Sequence, residues 1–169
     1  PIHLYQNNLK KFLGLEYCPI QYEQTSQKTN DFLIYLGSNI KTSIYVDIIE
    51  YISIKYKDKS IIVIDKKIEE IKSQIHSSNN CKFLNFLNEK EFKKNLFNSK
   101  FFISTGGWSC YQAIANNCIP LLISLLNSNT YFDCYGIVFG GYGKPFGFIN
   151  QFGKLNLIED DLEIKNNYI

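Results

Sequence analysis

One short run, Ile103-Ser-Thr-Gly-Gly-Trp-Ser-Cys-Tyr-Gln112, holds the residues of this chain best suited to chemistry. A strand-like apolar stretch leads into it, and a helical pattern opens straight after the glycines. Gly106 and Gly107 carry no Cβ, so a ligand can come close to the backbone there. The first turn of a helix presents unpaired N–H donors and about half a positive charge. Together these features form a site for an anion, best suited to a phosphate or diphosphate. Ser109 adds a hydroxyl donor, and Gln112, one turn on, is placed to reach a sugar hydroxyl. The same pattern also arises as plain tight packing. Neither G-x-G-x-x-G nor G-x-x-x-x-G-K-[ST] is present, so a dinucleotide fingerprint or a P-loop is not supported.

Other reactive side chains carry weaker signals. Cys110 at a helix start could have a lowered pKa, but no His lies near it in sequence, and packing is the favoured role. Ser109 lacks the G-x-S-x-G setting of a hydrolase nucleophile. Trp108 either stacks on a base or sugar or fills the gap between loop and sheet. His76 closes a helical pattern, where it suits the helix dipole. Asp160-Asp161 sits in a polar tail and reads as solvated surface.

Composition bounds the partners. The chain has 169 residues, 45% hydrophobic and 20% charged, which fits one domain with a real core. The longest apolar run, Cys118 to Leu126, is too short for a membrane helix. The net charge of +2 does not argue for nucleic acid. All 18 basic residues are Lys, so any phosphate is held by Lys, backbone N–H or hydroxyls rather than by an Arg fork. Ile (24), Asn (18) and Lys (18) dominate, as expected from AT-rich codons, so a lone Asn or Lys carries little functional weight. The chain has no Met, as in a fragment or a processed chain, and its start does not read as a signal peptide. Five cysteines with no C-x-x-C argue against a disulfide framework or a zinc site and fit a reducing cytoplasm. No cofactor or metal is expected.

The elements that must position the glycine run follow from periodicity. Residues 1–30 read as lead-in and linker. Asp31–Leu36 is a short buried strand closed by Gly37-Ser38-Asn39. Residues 41–56 place Ile44, Ile48, Ile52 and Tyr56 on one helical face. Strands at 61–64, 82–87, 100–104 and 119–124 alternate with helices at 65–76, 89–99 and 108–117. Asp65 is a candidate cap for the first of those helices. The pattern predicts an α/β fold, a Rossmann-like parallel sheet with helices on both faces, over 31–135. Ligands of such sheets bind beyond the carboxyl ends of the strands. Residues 136–169, rich in Gly and aromatics, are expected to be irregular.

Residues 12–130 resemble the C-terminal domain of MurG-type GT-B glycosyltransferases. The closest likeness is to the PseG-type UDP-sugar hydrolase of pseudaminic acid synthesis and its spore-coat-polysaccharide (SpsG-like) relatives. The resemblance rests on Ile103–Gln112 against a motif I-S-x-G-G-S-T-C-Y-E, on Asn117–Ser124 against G-x-P-x-I-x-I-P, and on Asn127-Ser128-Asn129 against D-N-Q. Gly14-Leu-Glu-Tyr17 and Phe32–Ser38 resemble the family's domain entry, first strand and glycine loop. This likeness implies the C-terminal half of a GT-B fold that binds UDP or a UDP-sugar. Gly106, Gly107 and Ser109 would cradle the diphosphate, and Trp108, Gly37 and Ser38 would also contact the nucleotide. Gln112 would contact the ribose, Leu87 and Asn88 the uracil through backbone atoms, and Asn127 and Asn129 the sugar or phosphate. Gln112 stands where the family has Glu, and a neutral amide binds a hydroxyl less strongly. The resemblance implies that the family's catalytic His belongs to an N-terminal half outside the residues matched here, and neither His3 nor His76 is expected to replace it. The expectation is therefore nucleotide-sugar binding for surface-glycan or nonulosonic acid synthesis, with no catalytic residue in this chain. One alternative is a non-catalytic subunit that docks on a separate half. Another is a flavodoxin-like domain for a different phosphate ligand.

Overall fold

The computed structural model describes residues 27–37, 39–76, 80–85, 87–126 and 130–158. Strand and helix alternate through β1 (Asn30–Ile34), α1 (Thr42–Lys55), β2 (Ile61–Ile64), α2 (Ile68–Gln74), β3 (Cys81–Leu84), α3 (Glu89–Phe97), β4 (Ser99–Ser104), α4 (Trp108–Ala115), β5 (Ile119–Leu125) and α5 (Thr130–Phe139). Two further strands, β6 (Lys144–Ile149) and β7 (Leu155–Leu157), complete a seven-stranded sheet of order β3-β2-β1-β4-β5-β6-β7. β1 to β6 pair in parallel, and β7 returns antiparallel to β6. The fold is α/β and Rossmann-like, as the alternation predicts. The order differs from the 2-1-3-4-5 of flavodoxin-like sheets, so that alternative does not hold.

The two faces of the sheet are read directly from residue alternation. Phe32, Ile34, Ile61, Val63, Phe101, Ile103, Leu121 and Ile123 face α1 and α2. Leu33, Ile62, Ile64, Phe102 and Leu122 face α3, α4 and α5. The central strands are apolar on both sides because both sides are covered. Ile44, Ile48 and Ile52 of α1 are buried, as their spacing requires, and each such burial is worth roughly 1.5–3 kcal/mol. α4 stops at a Schellman turn: Cys118 N–H donates to Ala113 O and Asn117 N–H to Ile114 O, with Asn117 at φ 54°.

Polar ties lock the amino edge of the sheet. Lys28 Nζ donates to Phe97 O and Asn116 O, each at 2.6 Å, pinning the carboxyl ends of α3 and α4. Asp31 accepts from Ser60 N–H at 3.1 Å and Lys100 Nζ at 2.9 Å, with Lys59 Nζ at 3.6 Å.

The expectation of irregular backbone after 135 is corrected. Residues 144–149 and 155–157 are sheet, and α5 extends to Phe139. Gly143 and Gly147 hid the pattern because they permit close packing rather than turns. A Cβ on Gly147 would lie 2.7 Å from Asn156 O, and one on Gly143 would lie 2.9 Å from Pro120 O. No helix among the described residues is long and apolar enough to cross a membrane.

Candidate functional site

The strand order reverses between β1 and β4. From β1 the chain works outward to β2 and β3; from β4 it works the other way. Helices leave to opposite faces at that point, and a crevice opens beyond the carboxyl ends of the two strands. β1 and β4 pair with Ile34 opposite Ile103, so the loops that follow them emerge side by side. The first loop carries Gly37 and the second Gly106-Gly107, and all three glycines have positive φ.

Gly107 has a demanding backbone conformation. Its φ of 87° and ψ of −171° lie in a region that only glycine occupies comfortably. A Cβ there would meet nothing within 4 Å, so the position is open on its outer side. Gly107 is also the N-cap of α4, with no side-chain cap hydrogen bond. One turn closes behind it, with Cys110 N–H donating to Gly107 O at 3.0 Å.

The helix starts around the crevice differ from those elsewhere. α1 and α4 follow β1 and β4, and neither has an acidic residue in its first turn. Lys41 is the N-cap of α1. By contrast α2 opens with Glu69 and Glu70, α3 with Glu89 and Glu91, and α5 has Asp133. A carboxylate in the first turn offsets the positive end of the helix dipole. At the switch point that offset is missing from both helices, which suits an incoming anion.

The residues expected around the ligand divide into two groups. Gly37, Gly106, Gly107, Trp108, Ser109 and Gln112 gather at the switch point, on the two loops and the first turns of α4. Trp108 is 49% exposed beside Tyr111, with ring centroids 6.3 Å apart, so it does not fill the gap between loop and sheet. Ser109 and Gln112 are half-buried. Leu87 and Asn88 lie apart, after β3, three strands or about 14 Å from β4. The Asn88 side chain caps α3, its Oδ1 accepting Glu91 N–H at 2.9 Å, and its carbonyl accepts Phe92 N–H. Ser38, Asn127 and Asn129 lie outside the described residues.

Cys110 is no nucleophile at neutral pH. Burial pushes its thiol up to about 12, against hydrogen bonds with Ser104 and Gly106 that favour the thiolate. His76 is exposed past the end of α2.

Three residues in the floor of the crevice were not legible as site residues in the sequence. Thr105 Oγ1 donates to Leu36 O at 3.1 Å and ties one loop to the other. Leu36 N–H donates to the Tyr45 hydroxyl at 3.0 Å, which donates to Asp65 Oδ2 at 2.8 Å. Asp65 is not the cap of α2, whose N-cap is Lys67 without a side-chain cap hydrogen bond; its Oδ1 accepts Lys67 N–H at 2.8 Å in the turn before the helix. Thr105 stands beside the glycines, and Asp65 follows β2; the pairing of β1 with β2 on one side and with β4 on the other joins them.

A second feature lies on the α5 side of β5. Between α5 and β6 runs an apolar groove of about 270 Å³, lined by Leu122, Tyr131, Tyr135, Val138, Pro145 and Phe148. On α5, Phe132 and Phe139 are 70% and 79% exposed.

No family model matches this chain, and no curated protein matches it.

Proposed function

We propose that this chain is the nucleotide-sugar-binding half of a GT-B-type glycosyltransferase or UDP-sugar hydrolase, one that serves surface-glycan or nonulosonic acid synthesis. The observation that carries this reading is the switch point itself. Two glycine loops flank an open crevice, and both helix starts facing it lack the acidic residues present at the other three. A diphosphate accepts N–H donors from the Gly106–Ser109 segment, and its charge sits at the positive end of α4. Gln112 donates to or accepts from the ribose hydroxyls one turn along. Trp108, half exposed, offers a face for stacking. Asn88 acts as the α3 cap, so a base contact beyond β3 goes to the backbone near Leu87.

The chemistry assigned to this half is charge stabilisation. The bond from the sugar carbon to the diphosphate oxygen breaks, and negative charge grows on the departing nucleotide. Preorganised N–H dipoles meet that charge without rearranging. Water attacks in a hydrolase and an acceptor hydroxyl in a transferase. The reading assigns no catalytic residue to this chain.

Calorimetric titration with UDP, with ADP and dTDP as controls, tests it. Saturable binding that prefers UDP is expected. Equal binding of all three refutes the uridine preference, and no binding of UDP by a folded chain counts against the half-site. A Gln112→Glu variant that restores binding would trace such a loss to position 112.

The exposed aromatics of α5 favour a second reading, a non-catalytic subunit that docks on a separate half. Size-exclusion chromatography with light scattering separates the two. A well-behaved monomer counts against a large docking face.

A further inference from the structure

The hydrogen bonds in the crevice floor form one continuous chain. Lys67 N–H donates to Asp65, the Tyr45 hydroxyl donates to Asp65, Leu36 N–H donates to Tyr45, and Thr105 donates to Leu36 O. Cys134 Sγ–H extends it by donating to Thr105 O at 3.4 Å. The chain runs from the start of α2 past β2, β1 and β4 to α5. Its side chains are deep in the fold: Tyr45 is 1% exposed, Asp65 7% and Thr105 8%. Burial holds the Tyr45 phenol well above its ordinary pKa, so the hydroxyl keeps its proton, and the bonds from the two sides converge on Asp65.

Such a chain is costly in an isoleucine-rich core. Each buried polar group must find its partner or destabilise the fold. Apolar residues of the same volume would pack the space without that demand. What the polar chain adds is a single geometry. Both polar groups of the Leu36 backbone are gripped by side chains, one from α1 and one from the loop after β4. Leu36 immediately precedes Gly37, and Thr105 immediately precedes Gly106. Two adjacent links of the strut, Leu36 and Thr105, are thus the residues from which both open glycine segments start.

We propose that Tyr45, Asp65 and Thr105 are positioning residues, a buried strut that couples the two glycine loops and holds the Gly106–Gly107 backbone ready for a diphosphate. The coupling stands on geometry alone; its purpose rests on the nucleotide reading above. The strut makes each loop sensitive to a change beneath the other. Loosening the Leu36 side loosens Gly106 and Gly107, which lie beyond Thr105 in the chain.

Amide hydrogen exchange on the full chain, followed over residues 35–41 and 103–109, tests the coupling. Thr105→Val keeps the volume and removes the donor, and Thr105→Ser restores it. Tyr45→Phe breaks the strut from the other side. Thr105→Val and Tyr45→Phe are each expected to speed exchange in both segments about tenfold, with α3 unchanged and Thr105→Ser close to the parent. Calorimetry with UDP is expected to give about tenfold weaker binding for Thr105→Val and recovery for Thr105→Ser. A Tyr45→Phe effect confined to 35–41, or failure of Thr105→Ser to restore exchange, overturns the strut. So does unchanged UDP affinity in Thr105→Val when the parent binds. Coupled exchange in a parent that binds no UDP supports the strut and overturns the nucleotide reading instead.

Discussion

Replacing Gly107 separates the backbone geometry of the crevice from its charge. Gly107→Ala places a Cβ where nothing lies within 4 Å, so steric overlap contributes nothing. The whole effect is the cost of holding an L residue at φ 87° and ψ −171°, about 1–3 kcal/mol. For a chain of this size that lowers Tm by roughly 2–12 °C. Gly107→Asp has the same strain, but its carboxylate can cap α4 and meet the helix dipole. It should therefore be about 0.5–1 kcal/mol more stable than Gly107→Ala. Toward UDP the order reverses. A carboxylate about 4 Å from a phosphate, at an effective dielectric of about 20, costs about 4 kcal/mol, on the order of a thousandfold in affinity. The assay pairs thermal unfolding with calorimetric titration on both variants. The reasoning expects Asp to be the more stable variant and the weaker binder. Gly107→Ala with an unchanged Tm would refute the strained geometry. Gly107→Asp binding UDP like the parent would refute the placing of the phosphate.

Two further predictions concern the scaffold. Burial alone would raise the Asp31 carboxyl, but hydrogen bonds from Lys100 and Ser60 and the charges of Lys100 and Lys59 outweigh it, and the group sits below its ordinary range. A depressed carboxyl stabilises the fold above the unfolded pKa of about 3.9 and loses that effect as pH falls through the folded value. Asp31→Asn should thus cost about 1–3 kcal/mol at pH 7 and progressively less as pH falls below the unfolded value, read by urea unfolding across that range; a loss that does not change with pH would rule out the charge as the cause. Burial pushes the thiols of Cys110 and Cys118 up to about 12 and that of Cys134 to about 11. At pH 8 the native chain should leave all three unlabelled by a thiol reagent for hours, with mass spectrometry finding modification only after denaturant. Prompt native labelling of any of them would contradict its burial.

Much of this molecule can be read one residue at a time. Ile44, Ile48 and Ile52 recur at helical spacing, and they are the buried face of α1. The apolar run Ile61–Ile64 announces a strand covered on both sides. Gly106 and Gly107, between strand and helix, mark a backbone conformation and an open helix start, because only glycine adopts those angles without strain. These are local facts, set by sterics and by the period of the chain. The region after 135 was misleading for a related reason: glycines usually signal turns, whereas Gly143 and Gly147 serve close strand contacts that no local pattern reveals.

Tertiary structure alone decided which loops share the crevice. Gly37 and Gly106 are far apart in sequence and become neighbours because β1 pairs with β4 and not with β3. The same pairing moves Asn88 away from them and commits its side chain to α3. Together with the pairing of β1 with β2, it gives Thr105, Tyr45 and Asp65 a common partner in Leu36, directly or through one another. Strand order depends on the sum of many long-range contacts rather than on any one residue. The composition of this chain therefore determined that an α/β sheet with an open glycine turn would form, and the packing of that sheet determined what the turn would face.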